Sequence, residues 1–255
     1  MRGSSSDSTD NEVKFMKETM WVLINHLKKC LNRKDESVLE PFLPCKQEYV
    51  LSITLNEIQQ NLYKRCVREI NQRGRNIMSD QKTLQKIWNH PSPYLEENPE
   101  HLTAEEEIGT KLDILLTIIR KVVEKGDKML VFTESKVSLD EIEKFLASRF
   151  KWKRGRNYLR MDGSISVADR KSNVKQFNSD LNNVLNLYLI TAKTGGQGLN
   201  ITSANRVVIY DISWNPTVDV QAIFRAYRMG QTREVYIYRL FAKGKLSYLF
   251  SSSFL

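Results

Sequence analysis

Residues 189–231 read L-I-T-A-K-T-G-G-Q-G-L-N-I-T-S-A-N-R-V-V-I-Y-D-I-S-W-N-P-T-V-D-V-Q-A-I-F-R-A-Y-R-M-G-Q. An apolar run meets a glycine cluster, and a second apolar run follows at Arg206–Tyr210. Gly195, Gly196 and Gly198 permit positive φ and close backbone approach to a phosphate. The stretch Asp211–Pro216, D-I-S-W-N-P, ends the second strand because proline cannot continue a ladder, and Thr217 is expected to cap the next helix. On that helix Arg225 and Arg228 stand three apart, with Gln221 one turn upstream. Two guanidinium groups on one face form a planar, permanently charged clamp for a polyphosphate. Strand, glycine loop, strand, W-N-P turn and arginine helix thus stand in one order.

Working upstream, Asp127–Glu134, D-K-M-L-V-F-T-E, is a short buried-strand pattern of the kind found in parallel sheets. Ser138 and Glu141 are read as an S-x-x-E capping box for a helix that turns Ile142, Phe145 and Leu146 one way. A basic loop precedes Y-L-R-M-D-G-S-I-S at Tyr158–Ser166, which is followed by Arg170 and by Phe177-Asn178 at a helix end. From Leu130 onward strands alternate with helices of roughly ten to fourteen residues, the grammar of βαβ units. The fold class is α/β: a recombinase-like parallel sheet flanked by helices, preceded by a helix-rich segment.

The order of these motifs resembles the second lobe of superfamily-two helicases, in the Swi/Snf-type branch of ATP-driven DNA translocases. That family has a similar Y-R-L-D-G-S-T, then an arginine, then F-N. Its general pattern places Asp before the first arginine of the sixth motif, whereas Phe224 stands here in an I-F-R-x-Y-R-x-G-Q-T string. This variant resembles the ATRX-like subgroup. D-S-T-x-x-E-V-K-x-M-K (Asp7–Lys17), R-K-D (Arg33–Asp35), F-L-P-x-K-x-E-Y-V-L (Phe42–Leu51) and L-x-x-I-W-N-H-P (Leu84–Pro91) are also similar to it. The resemblance covers about residues 7 to 242. After Lys243 the family's charged G-T-x-E-E/D-K-I-Y segment is replaced by a Ser-, Leu- and Phe-rich ending, so residues 243–255 are read as a divergent tail.

The resemblance implies that Arg225 and Arg228 reach nucleotide phosphates, with Gly198, Asn200 and Gln221 toward the same cleft. It implies that Thr191, Lys193, Trp214 and Asn215 lie along a DNA-tracking surface. ATP and Mg²⁺ are the implied cofactors, and double-stranded DNA, chromatin and a first motor lobe the implied partners, in the nucleus. No Walker A loop, G-x-x-x-x-G-K-[ST], occurs in the 255 residues. Asp140-Glu141 begins like a D-E-x-x box but falls in the first turn of an expected amphipathic helix, where acidic residues complement the dipole, and is rejected as a metal site. The first lobe is expected before residue 1, and hydrolysis by this chain alone is not expected. A non-catalytic DNA- or protein-binding module derived from such a motor is the alternative. An RNA helicase lobe is more distant, since the W-N-P turn and R-M-G-Q ending favour the duplex-DNA branch.

Thirty-nine Lys and Arg against thirty Asp and Glu leave a net charge of +9, which favours a polyanionic partner. Lys151–Arg156, K-W-K-R-G-R, is read either as a solvated loop or as a nuclear-localisation or DNA-contact patch. Cys30, Cys45 and Cys66 have no metal-ligand spacing, and an odd, sparse count suits a reducing compartment. No run approaches the roughly eighteen apolar residues of a membrane span, and the polar start carries no apolar signal segment, so a soluble, intracellular protein is expected.

The first hundred residues are helix-rich. Residues 1–10 are expected to be disordered, and 11–107 to form a helical protrusion and inter-lobe linker. Val13, Met16, Met20, Ile24, Leu27 and Leu31 recur at helical spacing as a packing helix. Glu48–Thr54 alternates as a strand, and Thr54 with Glu57 is read as a capping box for a helix carrying Ile58, Leu62 and Val67. Pro91–Glu107 is expected to be an exposed loop, and the lobe to run from 108 to 242.

Overall fold

The computed structural model describes residues 8–28, 30–31, 38–73, 77–97, 109–179, 184–195, 198–213 and 215–243. The chain divides into two compact units, Met1–Phe42 and Leu43–Leu255. In the first, α1 spans Asp10–Leu27, and the Thr9 N–H donates to the Glu12 carboxylate at 3.0 Å. Val13, Met16, Met20, Ile24 and Leu27 are helical as expected, but no residue of α1 is buried, and Leu31 lies past its end.

In the second unit β1 (Lys46–Ile53) leads to three helices, α2 (Glu57–Arg73), α3 (Ile77–Asn89) and α4 (Ser92–Glu97). Then come α5 (Thr110–Glu124), β2 (Met129–Thr133), α6 (Lys136–Phe150), β3 (Tyr158–Met161), α7 (Val167–Asn178) and β4 (Leu187–Thr191). The short α8 (Ala192–Gly195), β5 (Arg206–Ile209), α9 (Pro216–Ile223) and β6 (Val235–Ala242) complete it. All six strands form one parallel sheet in the order β1-β6-β5-β2-β4-β3.

Burial on both faces is what the continuous apolar runs of β2 and β4 require, and every residue of both strands is buried. On one face Leu112, Ile119, Ile142 and Leu146 of α5 and α6 pack on Val131, Leu189 and Val208. On the other, Phe177 of α7 and Ala222 and Ile223 of α9 pack on Leu130, Phe132, Ile190 and Ile237. Each of the Val, Leu, Ile and Phe side chains contributes about 1.5–3 kcal/mol by leaving water. A smaller cluster of Leu62, Cys66, Ile70, Leu84, Ile87 and Tyr94 ties α2, α3 and α4 together.

β1, at 46–53, lies in the stretch expected as linker yet pairs along its whole length with β6, so the sheet includes a strand from before residue 108. Residues 92–97 of the expected loop are instead helix with Tyr94 buried, and 98–107 lie outside the described residues. The capping boxes are displaced, because the side chain nearest the helix start wins the free amides. Ser135 accepts from Val137 to start α6, which leaves Ser138 and Glu141 buried inside it. Asn56 accepts from Gln59 at 2.9 Å to start α2, and Asn215, not Thr217, accepts from the Thr217 N–H to start α9, with Pro216 as its first residue.

Gly109 has a steric reason. A Cβ there would lie 2.9 Å from the Asn89 carbonyl oxygen and 3.0 Å from Gln59 Nε2. The start of α5 is thereby pressed against the end of α3.

Candidate functional site

α9 ends at Ile223, so Arg225 and Arg228 lie in the turns after it rather than on it, contrary to the sequence reading. Past Ile223 the chain mixes helical and tighter bonds. Arg225 N–H donates to Ala222 O and Ala226 N–H to Ile223 O, the tighter i−3 pattern, while Arg225 O accepts from Ile201 at 2.9 Å. Gly230, at φ +96°, closes the turn. The Gln231 carboxamide is buried and donates to the carbonyls of Thr202, Ala204 and Ala226 at 3.0, 2.8 and 3.2 Å. Asn178, the asparagine of the F-N pair, donates to Asn200 O at 2.9 Å and accepts from Ser203 N–H at 3.3 Å. Gln231 thus pins the arginine turn to the exit of the glycine loop, and Asn178 ties that exit to the end of α7. Gln231→Ala leaves three carbonyls short of one donor and is expected to cost about 1–3 kcal/mol of stability, measured by denaturant unfolding.

Arg225 and Arg228 are both half-buried and close enough that their charges oppose each other: burial first, then the Arg228 charge, lowers the Arg225 pKa. Arg228 makes no ion pair among the described residues. Gly198 (φ +68°) and Asn200 are exposed at the loop exit, and Gln221 is exposed on α9. Gly196 lies outside the described residues.

At the C-terminal ends of β2, β4 and β5 a cleft of about 630 Å³ opens between the sheet and α3, lined among others by Asn89, His90, Glu134, Lys136, Lys193 and Tyr210. Open parallel sheets place their ligand crevices at this end. Lys193, on α8, is exposed here. Thr191, the last residue of β4, is buried, and its hydroxyl bonds Thr194 at 2.9 Å, so it shapes the turn and is not displayed. Asn215 is exposed but spends its side-chain oxygen on the α9 cap, and Trp214 lies outside the described residues.

Beneath the cleft runs a buried polar network that the sequence reading missed. Asp211 accepts from Asn89 at 2.6 Å, from the Glu134 N–H at 3.1 Å, from Lys111 Nζ at 3.4 Å and from the Thr133 hydroxyl. Lys111, 2% exposed, also donates to Asn89 Oδ1 at 2.8 Å and lies 4.6 Å from the centre of the Tyr210 ring. Burial lowers the Lys111 pKa, and the Asp211 charge opposes that shift. Asn89 in turn donates to Ser138 Oγ at 3.0 Å. The signal was a lysine on the apolar stripe of T-K-L-D-I-L-L, where a solvated charge has no place.

Two buried groups beside this network titrate in opposite senses. His90 is pushed down to about 4 by burial and by the Lys144 charge, so below its ordinary 6.5 the unfolded chain takes the proton first. Asp219, held by Ser213 N–H and Arg239, is nevertheless pushed up to about 6 by burial, so there the folded chain takes the proton first. Between pH 7 and 5 the first effect removes about 2 kcal/mol of stability and the second adds about 1 kcal/mol. In Asp219→Asn only the loss remains. Its unfolding midpoint is expected to fall more steeply with acid than the parent's, and parallel pH curves would refute the assignment.

Residues 110–230 match the helicase conserved C-terminal domain. The chain is 30% identical to the transcriptional regulator ATRX homolog of Drosophila melanogaster, over 96% of this chain and 28% of that protein. It is 35% identical to the DNA repair and recombination protein RAD26 of Saccharomyces cerevisiae, over 80% of this chain and 19% of that protein. The fold is similar to the C-terminal part of the Fun30 ATPase domain, with a TM-score of 0.63 and 24% identity over 82% of this chain and 89% of that one. The Sulfolobus solfataricus SWI2/SNF2 ATPase core, solved in complex with dsDNA, gives 0.65 and 25% over 88% of this chain and 47% of that one.

Residues 110–230 are a helicase conserved C-terminal domain, and the chain is similar to the C-terminal lobe of Snf2-type helicase-like ATPases. The six-stranded parallel sheet matches this lobe in the solved structures, and this chain spans about a quarter of the Drosophila relative. Among the described residues no helix is long and apolar enough to cross a membrane, and no group of three His, Cys, Asp or Glu is placed to hold a metal.

Proposed function

We propose that this lobe works as the second half of an ATP-dependent double-stranded-DNA translocase of nuclear chromatin, closing on a nucleotide carried by a first lobe. The observation that carries this reading is the arginine turn: two half-buried guanidinium groups that oppose each other, pinned to the exit of the glycine loop. Like charges held together are stabilised by a polyanion that bridges them, and a triphosphate has the oxygens to do so. Arg225 and Arg228 take the catalytic role, stabilising charge on the transferred phosphoryl group. Gly198, Asn200 and Gln221, all exposed near this turn or on α9, face the same nucleotide. Mg²⁺ travels with the nucleotide and is held by the first lobe.

Lys193, at the mouth of the cleft, contacts the DNA backbone. Asn215, at the start of α9, and Trp214 are assigned to the same contact, and Thr191 sets the turn geometry from beneath. Backbone contacts of this kind are blind to sequence, as a translocase requires. Support for a duplex substrate comes from the Sulfolobus core, which was solved with dsDNA. Support for a chromatin setting comes from the likeness to ATRX. The test is DNA-stimulated ATP hydrolysis by this lobe joined to a first lobe, with and without Arg228→Ala; wild-type turnover from the variant overturns the reading.

A further inference from the structure

The chain's positive charge is concentrated far from the cleft. Residues 120–128 and 149–157 together hold nine Lys and Arg but only Glu124 and Asp127 as acids, which accounts for seven of the nine net charges of the whole chain. The fold brings the two stretches to one place. The first leads into β2 and the second into β3, and Asn186 joins them: Met129 N–H donates to Asn186 O at 2.8 Å, and Asn186 N–H donates to Asn157 O at 3.3 Å. Because every strand is parallel, this is the N-terminal end of the sheet, opposite Thr191 and Lys193. β2 and β3 are separated by β4 alone, so the two loops stand roughly 10 Å apart.

The 151–157 loop is a fixed platform. Lys151 closes α6 in the left-handed region at φ 55°, and the Trp152 N–H donates to Leu146 O. The Arg156 and Asn157 amides donate to Lys153 O, the Gly155 N–H donates to Tyr158 O, and the Asn157 side chain accepts from the Lys153 N–H. Trp152 turns inward, 5.4 Å from Phe150, and packs on the core. Lys151, Lys153, Arg154 and Arg156 remain outside, all exposed, and none of them, nor Lys125, forms an ion pair among the described residues. Protein partners bury an apolar centre, and this loop keeps its one large apolar side chain for itself; a surface of cations alone matches a phosphate backbone.

We infer that the N-terminal end of the sheet, centred on Lys151, Lys153, Arg154 and Arg156, is a second nucleic-acid contact that grips the backbone of a duplex segment other than the one at the cleft. The bridging of two segments rests on the DNA-tracking reading above; the contact itself does not. The test is the salt dependence of binding by the full chain to a fluorescent 30-base-pair duplex. Changing all four residues to Gln is expected to weaken low-salt binding at least tenfold and to reduce the slope of log K against log salt by about 3–4, near 0.9 for each lost phosphate contact. The unfolding midpoint should stay at the parent value, because the loop is held by backbone bonds and Asn157. An unchanged slope overturns the inference, and so does poly-glutamate of equal charge binding with the same affinity and slope as the duplex. Lys193→Gln separates the two readings. If it leaves binding untouched while the four-residue variant loses the slope, the cleft assignment fails and this contact stands. If it alone changes the slope, the reverse holds.

Discussion

Arg228→Ala, placed in a protein that carries both lobes, lowers DNA-stimulated ATP hydrolysis by about a thousandfold or more, the scale on which arginine fingers act in phosphoryl transfer. The expectation follows from where the side chain sits. Arg228 is half-buried, makes no ion pair among the described residues and stands beside a second guanidinium, so its charge is held ready for an anion. Folding should survive, because the bonds that fix the turn come from Gln231, from backbone amides and from Ile201, none of which involves the Arg228 side chain. Arg228→Lys is expected to recover little, since a point ammonium does not reproduce the planar, bidentate fork. The measurements are steady-state hydrolysis with and without duplex and thermal unfolding of the same samples. Loss of turnover together with loss of folding would assign the arginine to structure instead, and unchanged turnover would remove it from the mechanism.

Lys111→Met is expected to destabilise the lobe by about 3–5 kcal/mol, the cost of leaving one half of a buried ion pair without its partner. Asp211 keeps its bonds from Asn89, Thr133 and the Glu134 amide but loses its one cation, while itself almost wholly buried. The double variant Lys111→Met/Asp211→Asn removes both charges and is expected to cost clearly less than the sum of the single changes. Denaturant unfolding of the four proteins closes the cycle; strict additivity would show that the pair is not coupled. The consequence reaches function, because Lys111, Asn89 and Asp211 join the starts of α5 and α6 and the end of α3 to the C-terminal ends of β2 and β5. Of these, the end of α3, the start of α6 and the strand ends line the cleft that holds Lys193.

The sheet was legible because its central strands are near-continuous apolar runs between turn residues, a pattern that few arrangements other than a buried parallel strand satisfy. Met129–Thr133, Tyr158–Met161 and Leu187–Thr191 fall where the pattern put them. β1 was legible as a strand but not as a member of this sheet, since alternation tells that a segment is extended and not what lies beside it. Helix starts were misplaced at α2, α6 and α9 because several cap-forming residues lie within three positions of one another, and geometry decides which reaches the free amides. The arginine pair was found by spacing, whereas the turn that carries it was not: past Ile223 the Arg225 and Ala226 amides take i−3 partners, and the Arg225 carbonyl is held by Ile201, twenty-four residues earlier in the chain.

Residue order alone carried the succession of buried strands and intervening helices, the glycine loop followed by an arginine pair, and the family these resemble. Periodicity and motif spacing are properties of neighbouring residues, so they can be read without coordinates. It took the three-dimensional arrangement to show that Lys111 and Asp211 share a buried network a hundred residues apart, that Gln231 fastens the glycine loop's exit to the arginine turn while Asn178 ties it to α7, and that two basic stretches meet at one end of the sheet. Such pairings depend on strand order and on which ends of parallel strands coincide, and in a parallel sheet neighbours in space are separated in sequence by whole crossovers.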